Sequence, residues 1–298
     1  MSYKLRTADP AAEVRKVAQQ GIDNAIESLS VPEAERAEGI HQARKRFKEL
    51  RALLRLVRKP LRGAFKRENT LLRDLGRRLA ESRDAAAMLE SWDLLAEQFP
   101  DPLAKAPFTK VRQSLEARAR RGESRASGLD AQLDAVIDEL RALRERSEKW
   151  KLAGDGFDLF AAGVKRTYAD GCEELARVRQ DLSDEQLHEW RKRVKDHWYQ
   201  TRLLSPSWPK LMHMRSDTLK ALADRLGDDH DLAVMQQLMK DQPALFGEAA
   251  DRERLDALIA QRRSALQSEA LKRGRELYFD APNELVARWR RYWDDAQR

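Results

Sequence analysis

Cysteine occurs once, as Cys172, so the chain can form no internal disulfide and has no partner thiolate for a cysteine-based zinc site. Among 298 residues there are only 13 glycines, 10 prolines and 7% aromatics, too few turn and strand formers for a β-meander. No window approaches the roughly 18 apolar residues of a membrane span. The segment Met1–Lys16 also lacks the apolar core of a signal peptide. The expectation is a cytoplasmic protein with no membrane partner. An acidic surplus is missing too: 57 Lys and Arg against 50 Asp and Glu give a net charge of +7. Such an excess is modest at this length, so its placement matters more than its size.

Ala, Leu, Glu and Arg dominate, which is the composition of helices, and the fold class expected is all-α. Basic charge concentrates between His41 and Arg62. At 3.6 residues per turn, His41, Arg44, Lys48, Arg51, Arg55, Arg58 and Arg62 form one stripe. Beside it Ala43, Phe47, Leu50, Leu54, Val57 and Leu61 form the apolar seam of a helix docked on a core. A helix made cationic only for solubility would carry glutamates four residues from its cations, yet Glu49 is the only acid here. That density of like charge repels itself unless an anion lies against it.

Helix signals continue along the chain. Asp9-Pro10 opens a helix to about Leu29, and Ser30 with Glu33 reads as a capping box for a second, pausing near Gly39 and ending at Lys59-Pro60. Helices are expected over about Lys66–Glu81 and Asp84–Phe99, then a loop at Pro100, Pro102 and Pro107, then helices over Thr109–Arg121 and Leu129–Lys151 with a turn around Gly122–Gly128. Gly154-Asp155-Gly156 is the best boundary, dividing a bundle at 1–153 from one at 154–298. Beyond it come Phe157–Asp181, Ser183–Leu204, Lys210–Leu226, Asp229–Lys240, Glu248–Tyr278 and Glu284–Ala296.

The two sides of that boundary repeat. His188-Glu189-Trp190-Arg191-Lys192-Arg193-Val194-Lys195 reproduces the order of His41-Gln42-Ala43-Arg44-Lys45-Arg46-Phe47-Lys48 at an offset of 147 residues. The same offset carries Arg55 onto Arg202, Arg78-Leu79 onto Arg225-Leu226 and Asp84 onto Asp231. Duplicated bundles related by an approximate two-fold axis are expected, with two basic stripes facing one cavity.

The duplicated His-x-x-Arg-Lys-Arg-x-Lys helix, together with Leu226-Gly227-Asp228-Asp229-His230-Asp231-Leu232, resembles the CHAD domain, the conserved histidine α-helical domain. The resemblance runs over essentially the whole chain. It implies two four-helix bundles with pseudo-two-fold symmetry and non-catalytic binding of inorganic polyphosphate in a basic central cavity, with polyphosphate granules as a location. CHAD domains often accompany a CYTH triphosphatase domain, and no Glu-x-Glu-x-Lys strand of that kind occurs here. The positions that match are His41, Arg44, Lys45, Lys48, Arg51 and Arg55, then His188, Arg191, Lys192, Lys195, Arg202 and His230. Arg58 extends the first stripe, and Lys165 and Arg166, ahead of the second basic helix, are further candidates for phosphate contact. Trp198 stands opposite Arg51 in the repeat and Arg83 opposite His230, so the two walls should differ in charge.

Polyphosphate presents anionic oxygens at every repeat and no bases, so its receptor needs forked cations and no stacking platforms. A helix stripe supplies a cation about every 5 Å. Asp228, Asp229, His230 and Asp231 invite a metal or phosphohydrolase reading, but the other histidines offer no ligand spacing. The expectation is therefore no metal, no cofactor and no catalytic residue, with Asp229 capping a helix. His197 falls on the apolar seam and is assigned to packing, as are Trp92, Trp150, Trp289 and Trp293. Tryptophans that do not interleave with the stripe argue against a single-stranded nucleic-acid groove. Non-specific duplex binding through phosphates stays open as the alternative, and a phosphohydrolase as a more distant one.

Overall fold

A computed structural model describes residues 3–79, 84–123 and 129–298 of the chain. Among the described residues there is no strand. The helices are α1 (Pro10–Leu29), α2 (Arg36–Leu56), α3 (Arg58–Leu61), α4 (Ala64–Arg78), α5 (Asp84–Gln98), α6 (Pro100–Leu103), α7 (Ala106–Glu123), α8 (Leu129–Glu148), α9 (Asp158–Val178), α10 (Asp184–Leu203), α11 (Pro209–Asp241), α12 (Ala249–Leu277) and α13 (Pro282–Asp295).

In the first half α1, α2, α4 and α8 pack together, and in the second α9 and α11 flank α10, α12 lies on α11 and α13 on α9. α2 crosses α10 and α9, which joins the halves through one large core. The seam expected of α2 is buried throughout, from Ala43 to Leu61. α5 and α7 behave differently. Met88, Trp92, Leu95, Phe108 and Val111 form a second core with Leu232, Met235, Phe246, Leu255 and Ile259 of the later chain. The connection at 149–157 therefore separates the repeats along the sequence without separating the cores. It turns through Gly154 and Gly156, both at positive φ (125° and 51°), where glycine avoids a Cβ clash.

Several helix boundaries differ from expectation for physical reasons. α2 runs through Gly39 without a pause, because a Cβ there would lie 2.1 Å from the Ser28 carbonyl oxygen; the glycine serves the close approach of α1 and α2. Ser30 closes α1, its hydroxyl donating to Ile26 O, instead of capping α2. Pro100 and Pro107 lie in the first turns of α6 and α7, where a missing N–H costs nothing, so the expected loop is largely helical. The two helices expected over 210–240 are one 33-residue helix, α11, so Asp229 caps nothing. Glu81, Arg83 and most of the Gly122–Gly128 turn lie outside the described residues.

Candidate functional site

Because the apolar seam of α2 is turned into the core, the neighbouring cation stripe must emerge along its edge, and α10 repeats the arrangement from the other side. Between them lies a groove of about 550 Å³. Arg44, Lys48, Arg51 and Arg55 come from α2, Arg191, Lys192, Arg193 and Lys195 from α10, and Arg73 and Arg77 from α4. Against these ten cations the lining offers two carboxylates, Glu189 and Asp196.

Some of the charge is neutralised locally. Arg55 Nη1 donates to Asp196 Oδ1 at 2.7 Å, Arg193 lies 3.6 Å from the same carboxylate, Lys192 pairs with Glu189 at 2.5 Å, and Asp74 takes Arg73 at 2.8 Å. Arg51 donates to Asn69 Oδ1 at 3.2 Å. Among the described residues, Arg44, Lys48, Arg191 and Lys195 have no carboxylate within 4.0 Å. Arg191 lies against Gly227 of α11, where a Cβ would meet its Nη2 at 3.0 Å, and its buried Nε has no acceptor.

Proton affinities register this crowding. Burial in the groove, then Lys195, Arg44 and Arg191, bring the Lys48 ammonium down to about 8, although water still reaches it. Lys195 is lowered as well, by burial and then by Arg191. Burial and then Arg55 bring Arg51 down to about 10, still charged at neutral pH. His188 packs its ring 4.4 Å from that of His230 on α11. Burial, His230 and Lys192 hold it down to about 4, so it is neutral at pH 7 and its buried Nδ1 has no partner. Burial and then Arg191 also lower His230.

Of the residues read from the sequence, the groove brings together Arg44, Lys48, Arg51, Arg55, His188, Arg191, Lys192 and Lys195, with His230 behind His188. His41 and Lys45 are half-buried on α2 outside the lining. Arg58 is exposed and lies 4.9 Å from the Phe65 ring, while Lys165 and Arg166 are exposed on α9. Arg202 turns away from the groove, donating to Glu49 at 3.1 Å beside the rings of Tyr3 and Trp198. Sequence reasoning missed Arg73 and Arg77, although their four-residue spacing on one face of α4 was a usable signal, and Arg193, already inside the repeated motif.

Asp229 is buried, accepts from Arg263 Nε at 3.0 Å and Gln267 Nε2 at 2.9 Å, and so ties α11 to α12. Among the described residues no three His, Cys, Asp or Glu side chains are grouped as a metal would require. His197 is fully buried, stacked on Trp289 at 5.5 Å, and its Nε2 accepts from Arg215.

The sequence model of the CHAD domain matches residues 20–240. The chain belongs to the CHAD domain family. This CHAD domain shares its fold with a crystal structure of the CHAD domain from the plant Ricinus communis, at a TM-score of 0.56 and 17% identity, over 94% of this chain and 93% of that one. No curated protein matches it. No helix of the described residues is long and apolar enough to cross a membrane.

Proposed function

We propose that this CHAD domain binds inorganic polyphosphate in the groove between α2 and α10, without chemical turnover. The observation that carries the reading is the set Arg44, Lys48, Arg191 and Lys195: four cations lining one groove with no carboxylate partner among the described residues, where burial and then their mutual repulsion lower the two lysines. Holding such a cluster together is unfavourable by itself, and a polyanion offsets the repulsion among its charges. Arginine forks on both walls suit oxygens repeated along an inorganic chain. The aromatic residues at the groove, Phe47 and Tyr199, are buried and offer no face for base stacking, which favours polyphosphate over single-stranded nucleic acid. Asp229 is engaged in holding α11 to α12 and His230 packs against His188, which favours binding over hydrolysis. A cytoplasmic location, at polyphosphate granules, goes with the same reading.

Contacts across the centre support an internal two-fold. Arg55 to Asp196 and Arg202 to Glu49 are one contact made twice, each residue 147 positions from its counterpart. Within each half, Arg51 to Asn69 and Trp198 to Ser216 are related by the same offset. Such reciprocity is the mark of two equivalent surfaces facing each other.

The test is titration with long-chain polyphosphate of the native protein and of a variant carrying Arg44→Glu, Lys48→Glu, Arg191→Glu and Lys195→Glu. Binding should weaken by at least about a hundredfold, and in the native protein it should fall steeply with salt. Unchanged affinity with an unchanged circular dichroism spectrum, or equal competition by duplex DNA at physiological salt, would overturn the reading.

A further inference from the structure

A second basic concavity, of about 660 Å³, opens on another face of α4, where the turn after α2 meets the end of α8. Its charged lining is Arg62, Arg67, Arg146, Lys149 and Lys151, and none of its lining residues is acidic. The nearest compensation is Glu68, fully buried beneath it, which accepts from Arg67 Nη2 at 2.6 Å and from Arg146 Nη2 at 2.9 Å. One carboxylate is thus shared by two guanidinium groups. Among the described residues Arg62, Lys149 and Lys151 have no carboxylate within 4.0 Å.

Two further features single this concavity out from an ordinary basic surface. Arg62 is the one non-glycine residue at positive φ among the described residues, at φ 52° and ψ −128°. Its neighbour Gly63, which could adopt that conformation freely, stands at an ordinary φ of −61°. Strain is therefore held on the arginine although glycine was available one position away, as occurs where a side chain's placement matters. Trp150, also in the wall, is 6% exposed, and its indole Nε1 has no acceptor although its carbonyl is held by Arg15. The N–H is shut off from solvent, so the indole lines the wall and senses an anion in the concavity without bonding it.

We propose that this concavity is a second anion site, independent of the groove, for a compact free oligophosphate carrying several charges, gripped by Arg62, Lys149 and Lys151 and seated against Trp150. The reading does not rest on polyphosphate binding in the groove, and its test removes the groove first. In protein carrying Arg44→Glu, Lys48→Glu, Arg191→Glu and Lys195→Glu, inorganic tripolyphosphate is added at physiological salt while the indole N–H resonance of Trp150, assigned with Trp150→Phe, is followed. A saturable shift of that resonance is expected, and Arg62→Glu with Lys149→Glu and Lys151→Glu should weaken it at least about tenfold. Arg62→Gly supplies the second variant: it should raise Tm by relieving the backbone, yet weaken binding. Absence of a saturable shift in the groove-disabled protein, or an undiminished affinity in Arg62→Gly, would overturn the proposal.

Discussion

The depressed protonation of Lys48 makes proton uptake the sharpest consequence of an anion entering the groove. In the free protein the ammonium titrates at about 8, held down by burial and by Lys195, Arg44 and Arg191. Burial stays when an anion enters, but the anion's charge offsets the repulsion from Lys195, Arg44 and Arg191 and favours the ammonium, raising it toward the ordinary lysine value near 10.4. Lys48 alone then takes up about 0.1 proton on binding at pH 7, about 0.5 at pH 8 and about 0.9 at pH 9. Lys195, lowered in the same direction, adds to this. The signs are opposite for the two equilibria. Between the free and the ordinary value the unfolded chain holds more protons than the free folded one, so stability of the free protein rises with pH there, whereas polyphosphate affinity falls. The assay is calorimetric titration at pH 8 to 9 in buffers of different ionisation enthalpy, on the native protein and on Lys48→Met. Observed heats that do not depend on the buffer would refute the argument, because then either the anion does not reach Lys48 or its ammonium is not depressed.

Replacing Asp196 by Asn should leave Arg55 and Arg193 without their shared carboxylate and destabilise the fold by about 2 kcal/mol in urea denaturation. The same change should tighten polyphosphate binding; a drop in both properties would contradict the arrangement. Gly163→Ala would place a Cβ 2.0 Å from the Leu56 carbonyl oxygen where α9 meets α2, and a loss of about 3 kcal/mol is expected. A near-neutral result would show that the two helices separate easily. His188, held down to about 4 in the folded state, should make stability of the free protein decline as pH falls from about 6.5 toward 4, while affinity for the anion rises. His188→Gln should flatten both trends, as followed by thermal denaturation and titration across that range.

The motif, the stripe and the second half's copy of it were legible because helical periodicity translates spacing directly into a shared face. What the sequence could not show was which stripe members stop at the rim. Arg55 and Arg202 are equivalent in the repeat, yet one lines the groove and the other is taken up by Glu49, Tyr3 and Trp198. That outcome depends on the N-terminal segment, whose approach no local pattern announces. The docking of α5 and α7 on the later helices was hidden for a related reason: an apolar face tells that it will be covered, not by which element. Gly39 and the Leu226–Asp231 stretch misled through the ordinary habit of reading glycine and aspartate as punctuation, when close packing and a buried ion pair had claimed them.

The two basic helices carry matching contacts, yet among the described residues the two ends of the arrangement are finished differently. Each basic helix carries a buried carboxylate just after its central lysine, Glu49 after Lys48 and Asp196 after Lys195. Each carboxylate is held by an arginine three residues earlier on its own helix, Arg46 or Arg193, and by one from the opposite helix, Arg202 or Arg55. These crossed pairs pin the two lysine rows at close range despite their repulsion. The two ends of the cross then diverge at a single repeat position. Arg51 keeps the Asp196 end polar and open, whereas its counterpart Trp198 stacks beside Arg202 at the Glu49 end. There Tyr3 completes the cover, donating its hydroxyl to the Glu49 carbonyl oxygen at 2.6 Å, while Leu5 N donates to Leu203 O at 2.7 Å. Trp198 and the N-terminal segment therefore cover the Glu49 end, while the groove opens at the Asp196 end, where Arg51 and Arg55 line it.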